Sequence, residues 1–510
     1  MKGSLLNVSG GSGVKTTSMW NAEDLILDLG LDPLLQVMAG KDRFSLDICK
    51  NVLLTIPQNV DTILYRQAAM QDVLANTNAV MKMMSLLVEC EKRVREKLFW
   101  MEHSNTQYVL HESVEALRIY LEYIRSLNDL FSSNLPRFKS DGFRSVFTEM
   151  LDIFTPEYIE IISQHLSALS FEDGIHIKSG VSIDLNPVFG SLVQVQAKKR
   201  RAIGSIIQLR KDRFTYVLPN NDETSVQELT EIKDAGIKLV ASVLRDSTKN
   251  IERHFKGLIE ELTFYLCAAN LYRKMEELGV SYCFPVPLHD STKLSFSGLV
   301  DFGLVLNSSV KAVANSLYSE GSNLIIISGP NRGGKSTFLR SIGVAFVLMS
   351  AGLPVPASSF TSYVPGTVYT HFRRGEEKNL TSGKFEEEIS RFAQIVSKLR
   401  KGDAILMNES FSATDSREAS ELAFETTDAL SRSGVRVFFV THLLDYVRIV
   451  EENIQEGVKF LSAERLPDGT RTFRIVEANE GKQGYAMDLF NRIFGKDTRA
   501  YPESMQESSA

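Results

Sequence analysis

The stretch Gly329-Pro330-Asn331-Arg332-Gly333-Gly334-Lys335-Ser336-Thr337 constrains the fold of this chain more than any other. The pattern G-x-x-x-x-G-K-[ST] runs from Gly329 to Ser336, directly after the apolar β-branched run Leu324-Ile325-Ile326-Ile327 and directly before a helical pattern reaching about Gly352. Strand, glycine-rich loop and helix in that order make a phosphate-binding loop, the start of an α/β layer with a mostly parallel sheet. Backbone N–H groups of such a loop point inward at phosphate, and Lys335 adds a point charge. The helix N-terminus adds its dipole, and the Ser336 hydroxyl can ligate Mg2+.

The 510 residues are enough for about three domains of ordinary size. Formal net charge is −6, so no global positive field draws the chain to nucleic acid, and such contact has to rest on local patches. Cys49, Cys90, Cys267 and Cys283 are widely spaced without a C-x-x-C pair, which fits reduced core thiols in a cytoplasmic protein and no zinc site. The first residues, to about Ser18, are Gly/Ser-rich without the apolar run of a signal peptide, and are expected to form a disordered leader. The longest apolar window, Val344 to Ala357, is broken by Gly352, Pro354 and Pro356, so it reads as the helix after the phosphate loop and not as a membrane span.

From Ala22 to about Ser140 apolar residues recur three and four apart, the signature of packed helices. Turn-rich sequence with short strand signals follows at Phe171 to Leu185, and Val193 to Leu209 fits either helix or strand. The segment from about Ser225 to Leu278 has no proline, and its apolar positions keep helical spacing. Unbroken, it would span roughly 80 Å at about 1.5 Å per residue and act as a lever, partly paired with Val193 to Leu209. A break near Asp246-Ser247 would instead give two ordinary helices. After Gly279 the composition shifts toward turns, as at Cys283-Phe284-Pro285-Val286-Pro287. Strand candidates Ala404 to Met407 and Val435 to Val440 then alternate with helices Glu386 to Leu399 and Arg417 to Ser431. A last strand pair, Val458 to Leu461 and Arg471 to Val476, flanks Pro467-Asp468-Gly469.

A phosphate loop becomes a hydrolase when a metal-organising group, a water-positioning base and a γ-phosphate sensor join it. Ala404-Ile405-Leu406-Met407 delivers Asn408 and Glu409 at a strand's C-terminal end, where parallel sheets hold ligands. Glu409 is the candidate catalytic base. Asn408 is the candidate metal partner beside Ser336, but it offers only an amide oxygen where an aspartate is usual, which predicts slow turnover. The next strand ends in Thr441-His442, and His442 can hydrogen-bond the γ-phosphate or the attacking water.

The string GPNRGGKST with FLRSIG, the Asn408-Glu409 strand followed by SFSATDSREASELA, and FFVTH at Phe438 to His442 resemble the ATPase domain of the MutS family of mismatch-repair proteins. The resemblance is close from Asp301 to about Gly495. It is weaker upstream, at Tyr65-Arg66-Gln67, at Phe171-Glu172-Asp173-Gly174 and along the long helical segment. It implies an α/β P-loop ATPase domain preceded by a mainly α-helical core and lever, with ATP and Mg2+ as ligands and a homodimer in which each nucleotide is closed over by the partner. It further implies that Asn331, Lys335, Ser336 and Thr337 touch phosphate or magnesium. Asn315 would lie near the base, and Ser412 to Asp415 around the dimeric site. Ala312 stands where the family often has a phenylalanine, so base stacking must come from elsewhere. Ser382 and Lys384 are alternative trans-acting groups in Leu380 to Phe385.

Five segments follow: a leader at 1–20, a helical core at 21–190, lever helices with a short tip at 191–280, the ATPase domain at 281–495 and a flexible tail at 496–510. No mismatch wedge is expected. The first phenylalanine, Phe44, lies in helical sequence, and Phe147-Thr148-Glu149 and Phe385-Glu386-Glu387 fall inside helical patterns. Lys198, Lys199, Arg200 and Arg201, with Arg210, Lys211 and Arg213, form a basic cluster at the expected lever tip that suits sequence-independent phosphate contact with DNA. Two functions therefore compete: an ATP-driven dimeric clamp on DNA, and an ATP-gated scaffold for a protein partner. Negligible turnover, a consequence of Asn408, is a third.

Overall fold

The computed structural model describes residues 3–8, 10–11, 13–14, 21–55, 59–97, 106–169, 177–181, 187–192, 223–289, 292–308, 312–374, 384–454, 456–466 and 470–478. Two compact units emerge, one of Met1–Val14 with Ala68–Leu266 and one of Lys15–Gln67 with Cys267–Ala510.

The first unit is built on helices Thr77–Lys97, Thr106–Asn134, Asp141–Ile153 and Pro156–Ala168. Their three-and-four spacing buries Val80, Met83 and Leu87 on one helix and Tyr120, Ile124, Leu127 and Phe131 on the next. Phe131 stacks on Phe147 with centroids 4.4 Å apart, and Phe138 meets Phe147 edge-on at 5.0 Å. Asp72 organises the turn into the third helix by accepting the N–H groups of Lys139 at 3.0 Å and Ser140 at 2.8 Å. A hairpin pairs Ile177–Val181 with Pro187–Leu192 in antiparallel register. Glu223–Glu277 is a single helix of 55 residues. It passes Asp246-Ser247 without a break, and Thr248 donates its hydroxyl to the Leu244 carbonyl at 2.8 Å, satisfying that buried side chain within the helix. Val193 to Leu209, the expected partner of this helix, lies outside the described residues.

The disordered leader is corrected over its described part. Ser4, Leu5 and Leu6 are buried. The Glu261 carboxylate, itself fully buried, accepts the Ser4 hydroxyl at 2.5 Å, the Leu5 N–H at 2.7 Å and the Gly13 N–H at 3.1 Å. Glu260 takes the Val14 N–H at 2.9 Å. Buried carboxylates need donors, and backbone amides and a hydroxyl of this Gly/Ser-rich segment supply them.

The second unit centres on a six-stranded sheet in the order Arg471–Glu477, Val458–Arg465, Leu324–Ser328, Arg436–Val440, Ala404–Asn408, Val368–Phe372. All neighbours are parallel except the first pair, which is antiparallel. Alternation along the central strands feeds two layers. Leu324, Ile326, Met407, Val437 and Phe439 pack with Phe392, Ala419, Ala423 and Tyr446 from helices Lys384–Val396, Ser416–Arg432 and Leu444–Asn453. On the other face Phe438 meets Phe346 of helix Lys335–Ser350 at 5.9 Å. Each fully buried side chain of this size contributes about 1.5–3 kcal/mol. A second sheet of four strands orders Val286–Leu288, Ser359–Tyr363, Leu294–Leu299 and Asn315–Ser319.

The expected core segment 21–190 does not group as one body, because helices Ala22–Leu29, Asp32–Ala39 and Arg43–Leu54 belong with the sheet. The contacts are specific. Arg340 donates its Nε–H to the Asp28 carbonyl at 3.0 Å, and Asn21 reaches the Val368 carbonyl at 3.5 Å. Among the described residues no helix is long and apolar enough to cross a membrane.

Candidate functional site

Register sets the site. Ile327, Val440 and Asn408 lie side by side on three adjacent parallel strands, so the residues that follow them leave the sheet at one edge. Ligands bind parallel sheets at this carboxyl edge.

From the Leu324–Ser328 strand the chain enters the glycine-rich loop, where Gly329 and Gly334 take φ of 113° and 93°. Only glycine adopts these angles without strain, and they turn the loop into the helix that starts at Lys335. Asn331 and Arg332 lie exposed at the tip, and Gly333 is buried with a built Cβ only 2.8 Å from Ala463 Cβ. Lys335 is 5% exposed, and its ammonium donates to the carbonyls of Gly329 at 2.8 Å and Pro330 at 3.1 Å. Burial pulls its pKa below the ordinary lysine value, and the Glu409 carboxylate opposes that pull.

The Ser336 hydroxyl donates to Asn408 Oδ1 at 2.8 Å, which brings the expected metal pair together. Two converging neutral oxygens fit a hard divalent ion that draws its remaining ligands from water and phosphate. Glu409 follows, its N–H held by the Val440 carbonyl at 2.8 Å and its Oε1 3.9 Å from His442 Nδ1. Both side chains are partly open to solvent, and Thr441 is buried beside them with its hydroxyl accepting the Leu443 N–H at 3.0 Å. Asp415 caps helix Ser416–Arg432 by accepting the Arg417 N–H at 2.9 Å, and Thr414 donates to Glu418 at 3.0 Å. Capping accounts for the local geometry of this loop.

Beside the loop lies a cavity of about 260 Å³ lined by Asp301, Ala312, Asn315, Arg332, Thr337 and Phe473, among others. Asn315 sits there with its Oδ1 accepting the Ile475 N–H at 2.7 Å and its Nδ2 donating to the Val313 carbonyl at 3.3 Å. Phe473, half exposed and at φ 59°, was not foreseen as a site residue. It reaches the cavity from the antiparallel edge strand, whose pairing brings its backbone within 3.4 Å of a Cβ built on Gly334. An aromatic held in the open beside a phosphate loop is the signal that marks it.

Ser382 and the basic cluster at Lys198, Lys199, Arg200 and Arg201 lie outside the described residues. Lys384 opens helix Lys384–Val396. No group of three or more His, Cys, Asp or Glu gathers as a metal site among the described residues.

Known proteins resemble this chain over most of its length. The family model of the MutS2 N-terminal domain matches residues 58–278, and that of MutS domain V matches residues 325–493. The chain is 26% identical over 311 residues to the DNA mismatch repair protein MutS of Thermosipho melanesiensis, covering 58% of this chain and 36% of that protein. It is 31% identical over 172 residues to Endonuclease MutS2 of Carboxydothermus hydrogenoformans, covering 33% of this chain and 21% of the relative. MutS protein homolog 4 of Mus musculus is 30% identical over 139 residues, 27% of this chain and 14% of its own length. Against the MutS proteins of two Thermotoga species the covered share of the relative is 45% and 38%, so the chain spans less than half the length of these curated relatives. With one model on the helical segment, a second on the strands that carry the phosphate loop, and Lys335, Ser336, Asn408, Glu409 and His442 gathered at one sheet edge, the chain belongs to the MutS family.

Proposed function

We propose that the chain binds ATP at the loop of residues 329–337, hydrolyses it with Glu409 as general base, and works as a dimeric switch on DNA. The observation that carries the reading is the convergence of Lys335, Ser336, Asn408, Glu409 and His442 at the carboxyl edge of three adjacent parallel strands.

The loop N–H groups and the helix N-terminus receive the phosphates, and Lys335 exchanges its two carbonyl partners for phosphate oxygens. Ser336 and Asn408 would hold Mg2+, which neutralises charge on the phosphates when bound. Glu409 takes the proton of the attacking water. His442, 3.9 Å from Glu409, donates a hydrogen bond to that water or to the γ-phosphate. The pair Asn408-Glu409 brings one anionic ligand fewer than two carboxylates, which weakens the hold on the cation and slows turnover. Dimer formation and DNA contact are supported by membership of the family and by relatives that are DNA mismatch repair proteins.

Nucleotide affinity and steady-state ATPase of wild type, Lys335→Ala and Glu409→Gln test the hydrolytic half. Lys335→Ala should lose nucleotide binding, whereas Glu409→Gln should keep it and lose turnover by about 10²- to 10⁴-fold. Undiminished hydrolysis by Glu409→Gln removes the base assignment. Duplex and branched DNA binding at two salt concentrations tests the other half, with weakening expected at the higher salt and on charge reversal at Lys198 to Arg201. Absence of binding at low salt shifts the reading to a protein scaffold.

A further inference from the structure

The turn after Asn408 runs against the preferences of its own residues. Glu409 and Phe411 both lie in the left-handed region, at φ 53° and 67°, and residues other than glycine stay there only where their surroundings fix them. Between them the Ser410 hydroxyl is 1% exposed and donates to the His371 carbonyl at 2.9 Å. Its oxygen lies 2.7 Å from His371 Nδ1, which donates to it in the Nδ1–H tautomer. The Phe411 N–H donates to Glu388 Oε1 at 2.7 Å. Ser412 completes the turn by donating its hydroxyl to the Glu409 carbonyl at 2.7 Å.

These anchors come from outside the turn. His371 stands on the neighbouring strand opposite Met407, and Glu388 on helix Lys384–Val396. The His371 and Phe411 rings both meet Phe392 at 5.1 Å, and both are fully buried, which keeps water from competing for the hydrogen bonds. Burial, with Arg391 nearby, pushes the His371 pKa down to about 3, so the ring stays neutral and acts through its hydrogen bond.

The geometry points to Ser410, His371 and Glu388 as positioning residues for hydrolysis: they anchor the two residues that follow Glu409 and so, with the Val440 carbonyl holding the Glu409 N–H, fix its carboxylate between His442 and the phosphate loop. This rests on the reading of Glu409 as the general base. Freed from this clamp, the Glu409 backbone would relax toward ordinary φ and carry its carboxylate away from the attacking water, while the nucleotide contacts of Lys335 and Ser336 would be unaffected.

Single-turnover hydrolysis and ATP affinity of the full chain, measured for wild type, Ser410→Ala, Glu388→Ala, Glu388→Gln and Glu409→Gln, test the clamp. Ser410→Ala and Glu388→Ala should lower the hydrolysis rate about 10- to 100-fold with ATP affinity held within about twofold. Glu388→Gln, whose amide oxygen still accepts the Phe411 N–H, should recover most of the rate, which a loss of packing alone would not allow. Wild-type rates in Ser410→Ala and Glu388→Ala, beside a dead Glu409→Gln, overturn the clamp and leave the base assignment standing. Equal impairment of Glu388→Ala and Glu388→Gln, or a loss confined to ATP affinity, also overturns it. Full activity of Glu409→Gln removes the base and the clamp together. Should Glu388→Ala fail to fold, Ser410→Ala, which removes one oxygen, decides the matter.

Discussion

Phe473 shows how a site residue can hide in plain sequence. Nothing in Arg471-Thr472-Phe473 separates it from any aromatic on a short strand, and the missing aromatic at Ala312 only says that a stacking partner is wanted. The irregularity of the edge pair decides, because the register shifts between Ala463 and Arg465, and Phe473, at φ 59° in the unpaired stretch opposite, lines the cavity with Asn315 and Thr337. If the base stacks there, Phe473→Ala should weaken ATP binding by about tenfold or more, as base–aromatic stacking contributes about 1–3 kcal/mol. The check is the dissociation constant for ATP alongside that for inorganic triphosphate. Stacking predicts a loss for ATP alone, and an equal loss for both would assign Phe473 to the shape of the loop. By contrast the placement of Lys335, Ser336, Glu409 and His442 at one sheet edge was readable directly, since a phosphate loop and two strand ends fix it by sequence position. The clamp around Glu409 was not. Ser410, His371 and Glu388 are separated by up to 39 residues and meet only through strand order and burial.

Elements were legible where one periodicity ran long enough. The four parallel pairings follow from apolar strands alternating with amphipathic helices, and their ends fall within a few residues of the sequence boundaries at Ala404–Asn408, Ser416–Arg432 and Arg436–Val440. Short helices were less so. Ala22–Leu29, Asp32–Ala39 and Arg43–Leu54 read as helical, but spacing alone does not tell which layer their apolar faces will cover. The long helix Glu223–Glu277 allows a test of its own continuity at Leu239, whose side chain is 74% exposed. Leu239→Ala removes almost no packing and should change stability by about 0.5 kcal/mol or less. Leu239→Pro should cost about 3 kcal/mol or more and reduce far-UV helicity, because it deletes an internal hydrogen bond and clashes one turn back. Matching spectra and midpoints for the two variants would argue for a helix already broken there in solution.

Across the whole chain, the first compact unit is completed by residues near its N-terminus that bond to Glu260 and Glu261 over a sequence separation of about 250 residues, a large closure to make for a segment this polar. Two gains offset that entropy. Leu5 and Leu6 are buried, and three donors reach a carboxylate with no exposed surface. Deleting residues 2–14 should therefore destabilise this unit through lost apolar burial and through an under-satisfied buried charge, the latter costing about 3 kcal/mol or more. A double-mutant cycle separates the two terms. In the full chain Glu261→Met strips Ser4, Leu5 and Gly13 of their acceptor and should destabilise. In the shortened chain the same change replaces an under-paired carboxylate with an apolar side chain and should stabilise. Because two units need not unfold together, the cycle is best read by calorimetry, as the shift of one transition. A change of sign between the two backgrounds is the expected result. Equal destabilisation in both would mean that the segment is held by its leucines alone, with Glu261 stabilised by its other neighbours.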